Sequence, residues 1–157
     1  MRTFIIASFI IVSACSEQVE VVPYEYSRIF TGETKKGWTI RSFQYTEKGK
    51  ATQTGKLDDC LSDDLYIFYA NEERRMELLD NNNKCNPNDP DLIAEGSWSF
   101  VNTNATLSLP FPLLSTSVPA IPFVVREVAE DRMTLEIFLD EGGTTSYRFN
   151  FSVAELE

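Results

Sequence analysis

Residues 132–153, RMTLEIFLDEGGTTSYRFNFSV, decide the fold. Met133, Leu135, Ile137 and Leu139 alternate with Arg132, Thr134, Glu136 and Phe138. After Glu141-Gly142-Gly143 the alternation resumes, with Tyr147, Phe149, Phe151 and Val153 against Arg148, Asn150 and Ser152. A period of two sends successive side chains to opposite faces of a strand. The glycine pair supplies the conformations a tight reversal needs. The stretch therefore predicts an antiparallel hairpin with one apolar face turned to a core.

The same signal recurs on the N-terminal side. Strands are expected at 38–46, 65–70, 74–79, 96–101, 106–109 and 121–128, set apart by turn residues, with strong β formers at 65–70. Met76 and Leu78 share one face, as do Trp98 with Phe100 and Leu107 with Leu109. Residues 80–91 (DNNNKCNPNDPD) form a loop. No segment past residue 36 carries ten residues of clear 3.6 periodicity. With the hairpin at 132–153 the count is eight strands, most joined by short turns. This predicts an all-β, antiparallel, up-and-down eight-stranded barrel, since closure removes exposed edges. An interior of that size is filled by side chains or holds one small ligand.

Two cysteines bear on the hairpin at 65–79. A turn near 71–73 pairs residues whose numbers sum to about 144, and Cys60 and Cys85 sum to 145. They fall opposite each other at the base of the hairpin. A disulfide there closes 26 residues and contributes roughly 3–3.5 kcal/mol in the chain-entropy model. Free thiols and a redox pair are the alternatives. A redox pair favours close spacing in an electropositive setting, whereas Asp58, Asp59, Asp63 and Asp64 surround Cys60 with negative charge.

The 157 residues suffice for one domain with a tail. The chain has no histidine, so it lacks the commonest general base and metal ligand. Three cysteines are too few for a Cys₄ zinc site. A net charge of −10 argues against nucleic acid as a partner. The start of the chain has a short positive beginning at Arg2 and then a nine-residue apolar run, FIIASFIIV. Nine helical residues span roughly 14 Å, too short for a bilayer, so the run reads as the core of a signal peptide. Val12-Ser13-Ala14-Cys15 then resembles the lipobox of bacterial lipoproteins, with Val12 where leucine is commonest. That resemblance implies removal of residues 1–14, lipidation of Cys15 and attachment to a membrane. Ser16 differs from the aspartate that holds such proteins at the inner membrane, which favours the outer membrane, on its periplasmic or cell-surface face. Removing residues 1–14 takes Arg2 and no acid, leaving 13 basic and 24 acidic side chains. Residues 15–36 read as the lipidated N-terminus and a tether. Tyr26, Ile29 and Phe30 have helical spacing within it and could plug one end of the domain, which is placed at 37–157.

Several elements in order carry a further resemblance. They are Lys36-Gly37-Trp38, then Cys60-x-x-Asp63-Asp64-x-Tyr66-x-Phe68, Cys85 with Pro87, Asp89 and Pro90, Gly96-Ser97-Trp98-Ser99-Phe100, and Tyr147-Arg148-Phe149. The chain resembles the lipocalin-like lipoprotein domains of Bacteroidetes-type bacteria over residues 26–153. Gly37 and Trp38 are adjacent here, where true lipocalins carry Gly-x-Trp. The resemblance implies an eight-stranded lipocalin-like barrel and leaves its ligand unspecified.

Two function classes follow. The first is a carrier or receptor for a small apolar molecule, with Tyr66, Phe68, Trp98, Phe100, Phe111, Leu114, Tyr147 and Phe149 as candidate lining. Phe111 and Leu114 belong to the apolar, proline-rich segment 110–122 and could form a lid over one mouth. The second is a non-catalytic accessory module of the cell envelope, with a filled barrel and a protein partner met through its loops. No catalytic residue is predicted and no enzyme activity is expected. The acidic clusters lack EF-hand spacing and read as solvated turns, so no metal and no cofactor are predicted.

Overall fold

The computed structural model describes residues 24–103, 105–115 and 120–156. The signal segment and Cys15 lie outside the described residues. The chain runs α1 (Tyr24–Thr31), β1 (Lys35–Thr46), β2 (Gln53–Gly55), α2 (Asp59–Ser62), β3 (Leu65–Tyr69), β4 (Arg75–Leu79), β5 (Leu92–Ser97), β6 (Ser99–Val101), β7 (Thr106–Leu109), β8 (Ile121–Val128), β9 (Arg132–Phe138) and β10 (Ser146–Ala154). Every strand pair is antiparallel.

Nine strands follow one hydrogen-bonded path, β5-β4-β3-β1-β10-β9-β8-β7-β6, and β2 pairs with β1 beside it. The first long strand meets the last, and the two ends of the path are neighbours in sequence with only Trp98 between them. The result is a nearly closed barrel. β5 pairs with β4 up to Arg75↔Ser97, and β6 then pairs with β7 from Ser99↔Ser108. Along this seam β7 stops at Leu109. Pro110 follows, has no N–H to donate, and cannot extend the ladder along β5. Instead its ring packs over Gly96, where a Cβ would stand 2.6 Å from Pro110 Cγ. Pro110 therefore covers the open edge at Gly96.

Eight of the ten strands coincide with expected ones, and β2 and the first half of β5 are additional. β2 is Gln-Thr-Gly, with no apolar residue to set a period. At β5 the strand expected from Gly96 begins earlier, at Leu92. Its Leu92 and Ile93 are exposed, so the alternation that marks a half-buried strand is absent there. Leu139, expected inward, lies beyond β9 and is exposed, because β9 ends at Phe138. Val153, also expected inward, is exposed near the end of β10.

The interior is filled. Phe30, Trp38, Tyr66, Phe68, Phe111, Phe123, Ile40, Met76, Leu78, Leu107, Leu109 and Met133 have essentially no exposed surface. One end is closed by α1. Phe30 packs among Phe68 (4.3 Å between ring centres), Trp98 (5.1 Å) and Phe100 (5.3 Å), and its carbonyl accepts a 2.9 Å hydrogen bond from Trp38 Nε1. Lys36 Nζ donates to the Ile29 carbonyl at 2.7 Å, which caps the helix C-terminus with a cation. The helical spacing of Tyr26, Ile29 and Phe30 thus corresponds to α1, and its Phe30 plugs this end of the barrel.

The outer face of β8–β10 carries an ionic cluster around Glu136, which is 4% exposed. Arg126 Nε lies 2.5 Å and Arg148 Nη2 3.3 Å from Glu136 Oε2, and Ser146 Oγ donates to Oε1 at 2.8 Å. Burial alone would raise the pKa of this carboxyl. The hydrogen bonds from Ser146 and Arg126 and the charges of Arg148 and Arg126 outweigh it and hold the group below its ordinary value.

Candidate functional site

The barrel end opposite α1 holds the α2 turn, the β9–β10 turn, the segment 110–115 and the disulfide. Cys60 and Cys85 are bonded, with Cα atoms 5.0 Å apart. The β3–β4 ladder pairs Leu65↔Leu79 and Tyr66↔Leu78, a sum of 144 as the hairpin count requires, so the bond closes the hairpin just past the ladder.

A cleft of about 210 Å³ opens at this end, lined by Phe43, Leu57, Leu113, Leu114, Tyr147 and Phe149. Its floor is aromatic. Phe43 and Tyr147 lie 6.1 Å apart and Tyr147 and Phe149 6.2 Å apart, ring centre to ring centre. Phe43 faces inward because a register shift between Ile40 and Ser42 inserts Arg41 into β1. Trp38 and Ile40 point inward before that bulge, and Phe43 after it, as one extra residue inverts the alternation. Gly55 on β2 pairs with Phe43, and a Cβ there would stand 2.2 Å from the ring, so the ring lies directly against the glycine backbone.

Phe111 enters from the seam and is fully buried. Its ring stacks on Tyr66 at 5.7 Å and meets Phe123 at 5.0 Å and Phe149 at 4.9 Å edge to face. It forms the partition between the cleft and the deeper core. Leu113 and Leu114 follow it to the cleft wall, and the Leu114 N–H donates to the Phe111 carbonyl at 3.1 Å.

Of the candidate lining residues, Leu114, Tyr147 and Phe149 meet at the cleft. Phe111 stands behind it. Tyr66 and Phe68 are core residues, and Trp98 and Phe100 pack against Phe30 at the helix end, away from the cleft. Phe43, Leu57 and Leu113 complete the lining. Leu57 lies in a polar loop without periodicity, and Phe43 is hidden by the bulge, so a sequence pattern points to neither.

Beside the cleft the inner wall turns polar. Asp64 precedes β3 and Asp80 follows β4, opposite each other across the hairpin, and both are buried. Asp64 and Tyr66 are two residues apart and share a face. Asp64 Oδ1, Asp80 Oδ1 and the Tyr66 hydroxyl are buried with no hydrogen-bond partner, as is Asp63 Oδ1. Burial, with the charges of Asp80 and Asp63, pushes the Asp64 carboxyl up to about 7. Burial, with the charge of Asp64, also raises the Tyr66 phenol. Lys84, the nearby cation, is engaged elsewhere, with Nζ 2.6 Å from both the Asp89 carbonyl and Asp91 Oδ1. Among the described residues no group of three or more acidic or cysteine side chains is disposed to hold a metal ion.

Neither the known protein-family models nor the curated proteins contain a match to this chain.

Proposed function

We propose that the protein is an envelope lipoprotein, anchored in the outer membrane through a lipid on Cys15, whose lipocalin-like barrel binds a small apolar group at the disulfide-end mouth. The observation that carries this reading is the cleft itself. Six apolar or aromatic side chains converge on about 210 Å³ at the end that α1 leaves open. A cavity of about 150 Å³ lined by apolar residues holds a benzene molecule, so the cleft suits one ring with a short chain. It is too small for a sterol or a whole long-chain fatty acid. Reading 92–101 as one strand that bends at Trp98 and changes partner gives eight strands, which supports the lipocalin-like assignment. No catalytic role is proposed.

The filled interior favours a second reading, in which the barrel is a rigid, non-catalytic module that meets an envelope protein through its loops. Native mass spectrometry of the full chain purified from its own host separates the two. A retained small apolar molecule is expected on the first reading. A bare polypeptide, together with no binder in a screen of single-ring compounds, removes it.

A further inference from the structure

Two features of the disulfide end, the apolar cleft and the polar wall beside it, share one side of the barrel. β1 pairs Trp38 with Tyr66, so two residues on, Ile40 lies level with Asp64. Phe43, the next inward residue of β1, lines the cleft. The carboxylates thus begin one inward position below the lining. Phe111 joins the two regions, with its ring against Tyr66 on one side and Phe149 on the other.

The polar wall is unsatisfied. Asp64 and Asp80 have no side-chain hydrogen bond, and each has a fully buried oxygen without a donor. Tyr66, with no exposed surface, projects its hydroxyl from the same face and also lacks a partner. Buried acceptors left without donors are costly, and those in native folds normally meet a protein group, a water or a ligand. The charged groups of the surrounding elements supply no donor. Asp63 Oδ2 accepts from the Asn83 N–H, Asp59 pairs with Lys56, and Lys84 is held by Asp89 and Asp91. β1 contributes only Ile40 at this level.

We propose that the mouth takes a small amphiphilic amine, its ring or short chain in the cleft and its ammonium between Asp64 and Asp80 with Tyr66 beneath. The inference rests on the reading of the mouth as a ligand site and names the ligand's class. An ammonium brings three N–H donors, which matches two carboxylate oxygens and one phenol oxygen. It also brings the positive charge that this wall lacks. The net charge of −10 draws cations toward the molecule and disfavours a carboxylate ligand. Reaching the wall requires the Phe111 ring to swing from between Tyr66 and Phe149. Because Asp64 holds its proton up to about pH 7, binding an ammonium below that pH displaces the proton to solvent.

Calorimetric titration of the full chain with 2-phenylethylamine, 2-phenylethanol and 3-phenylpropanoate tests this. At pH 8 the amine should bind at least about tenfold tighter than the alcohol, and the acid should not bind. At pH 6 the amine's apparent enthalpy should change with the ionisation enthalpy of the buffer, and the alcohol's should not. Asp80→Asn and Asp64→Asn should bring the amine down to the alcohol's affinity and leave the alcohol unchanged. Melting curves of both variants establish that they fold. Alcohol binding with no advantage for the amine overturns this inference and leaves the cleft a ligand site. No binding by either overturns both.

Discussion

Replacing Phe30 with alanine tests whether the segment before β1 is part of the barrel. Phe30 has no exposed surface, and its ring meets those of Trp38, Phe68, Trp98 and Phe100. Four of the largest side chains at the helix end thus share one neighbour. Truncating a buried phenylalanine costs about 3–5 kcal/mol, as lost transfer free energy plus the cavity left behind. The upper half of that range applies here. Trp38 sits on β1, Phe68 on β3, Phe100 on β6 and Trp98 in the link between β5 and β6, which restricts their collapse into the gap. In a folded body of this size, about 3 °C of melting temperature accompanies each kcal/mol, so a fall of roughly 10–15 °C is expected. A thermal melt reads that fall, and urea denaturation of the full chain under oxidising conditions reads the free-energy loss, with near-ultraviolet circular dichroism reporting Trp38 and Trp98. The midpoint should fall with the slope unchanged. A loss below about 1 kcal/mol would refute the reasoning, because it would make residues 24–34 a tether lying on the surface.

Reducing the Cys60–Cys85 bond, or replacing both residues with serine, should cost roughly 3–3.5 kcal/mol, and peptide mapping without reductant should recover the crosslinked pair. Asp64 makes stability depend on pH. Its carboxyl titrates near 7 in the native state against an ordinary 3.8, so the native state holds the extra proton between those values. The contribution from Asp64 should be full below about pH 4, fall as pH rises through 7, and be lower by on the order of a few kcal/mol above it. Asp64→Asn should flatten that slope and raise the melting temperature at pH 8, and a slope unchanged in the variant contradicts the assignment. Gly55→Ala should push the Phe43 ring off β2 into the cleft at a cost of about 1 kcal/mol, and weaken binding of 2-phenylethanol without unfolding the chain.

The long strands were legible because each pairs one buried face with one wet face. Residues 132–135 and 148–152 alternate as their burial does, and the hairpin count located the disulfide to within one residue. What was hidden has physical reasons. The bulge at Arg41 reverses the parity of β1, so Phe43 and Tyr45 exchange faces relative to a regular strand. The barrel's ends break the alternation. Leu139 and Val153 keep apolar side chains where no opposite wall remains to cover them. Asp64 and Asp80 read as turn residues, and only the folded hairpin shows that their carboxyls face inward beside Tyr66. The candidate lining was partly legible for the same reason. An inward aromatic is visible as a period of two, but which inward aromatics border empty space depends on what fills the middle. Phe30 from α1 and Phe111 from the seam fill it, leaving only the end near Tyr147 and Phe149.

The open space of the barrel lies at the disulfide-end mouth, where six apolar side chains line the cleft, and not in the filled interior. Methyl-detected NMR of the full chain, titrated with 2-phenylethanol, distinguishes the two locations. Shifts should concentrate on the methyls of Leu57, Leu113 and Leu114, which line the cleft, and leave Leu107, Leu109 and Leu135 in place. Shifts centred on Leu107, Leu109 and Leu135 would contradict the claim by placing the ligand deep in the barrel, and a spectrum with no saturable change would contradict it by leaving no site at the mouth.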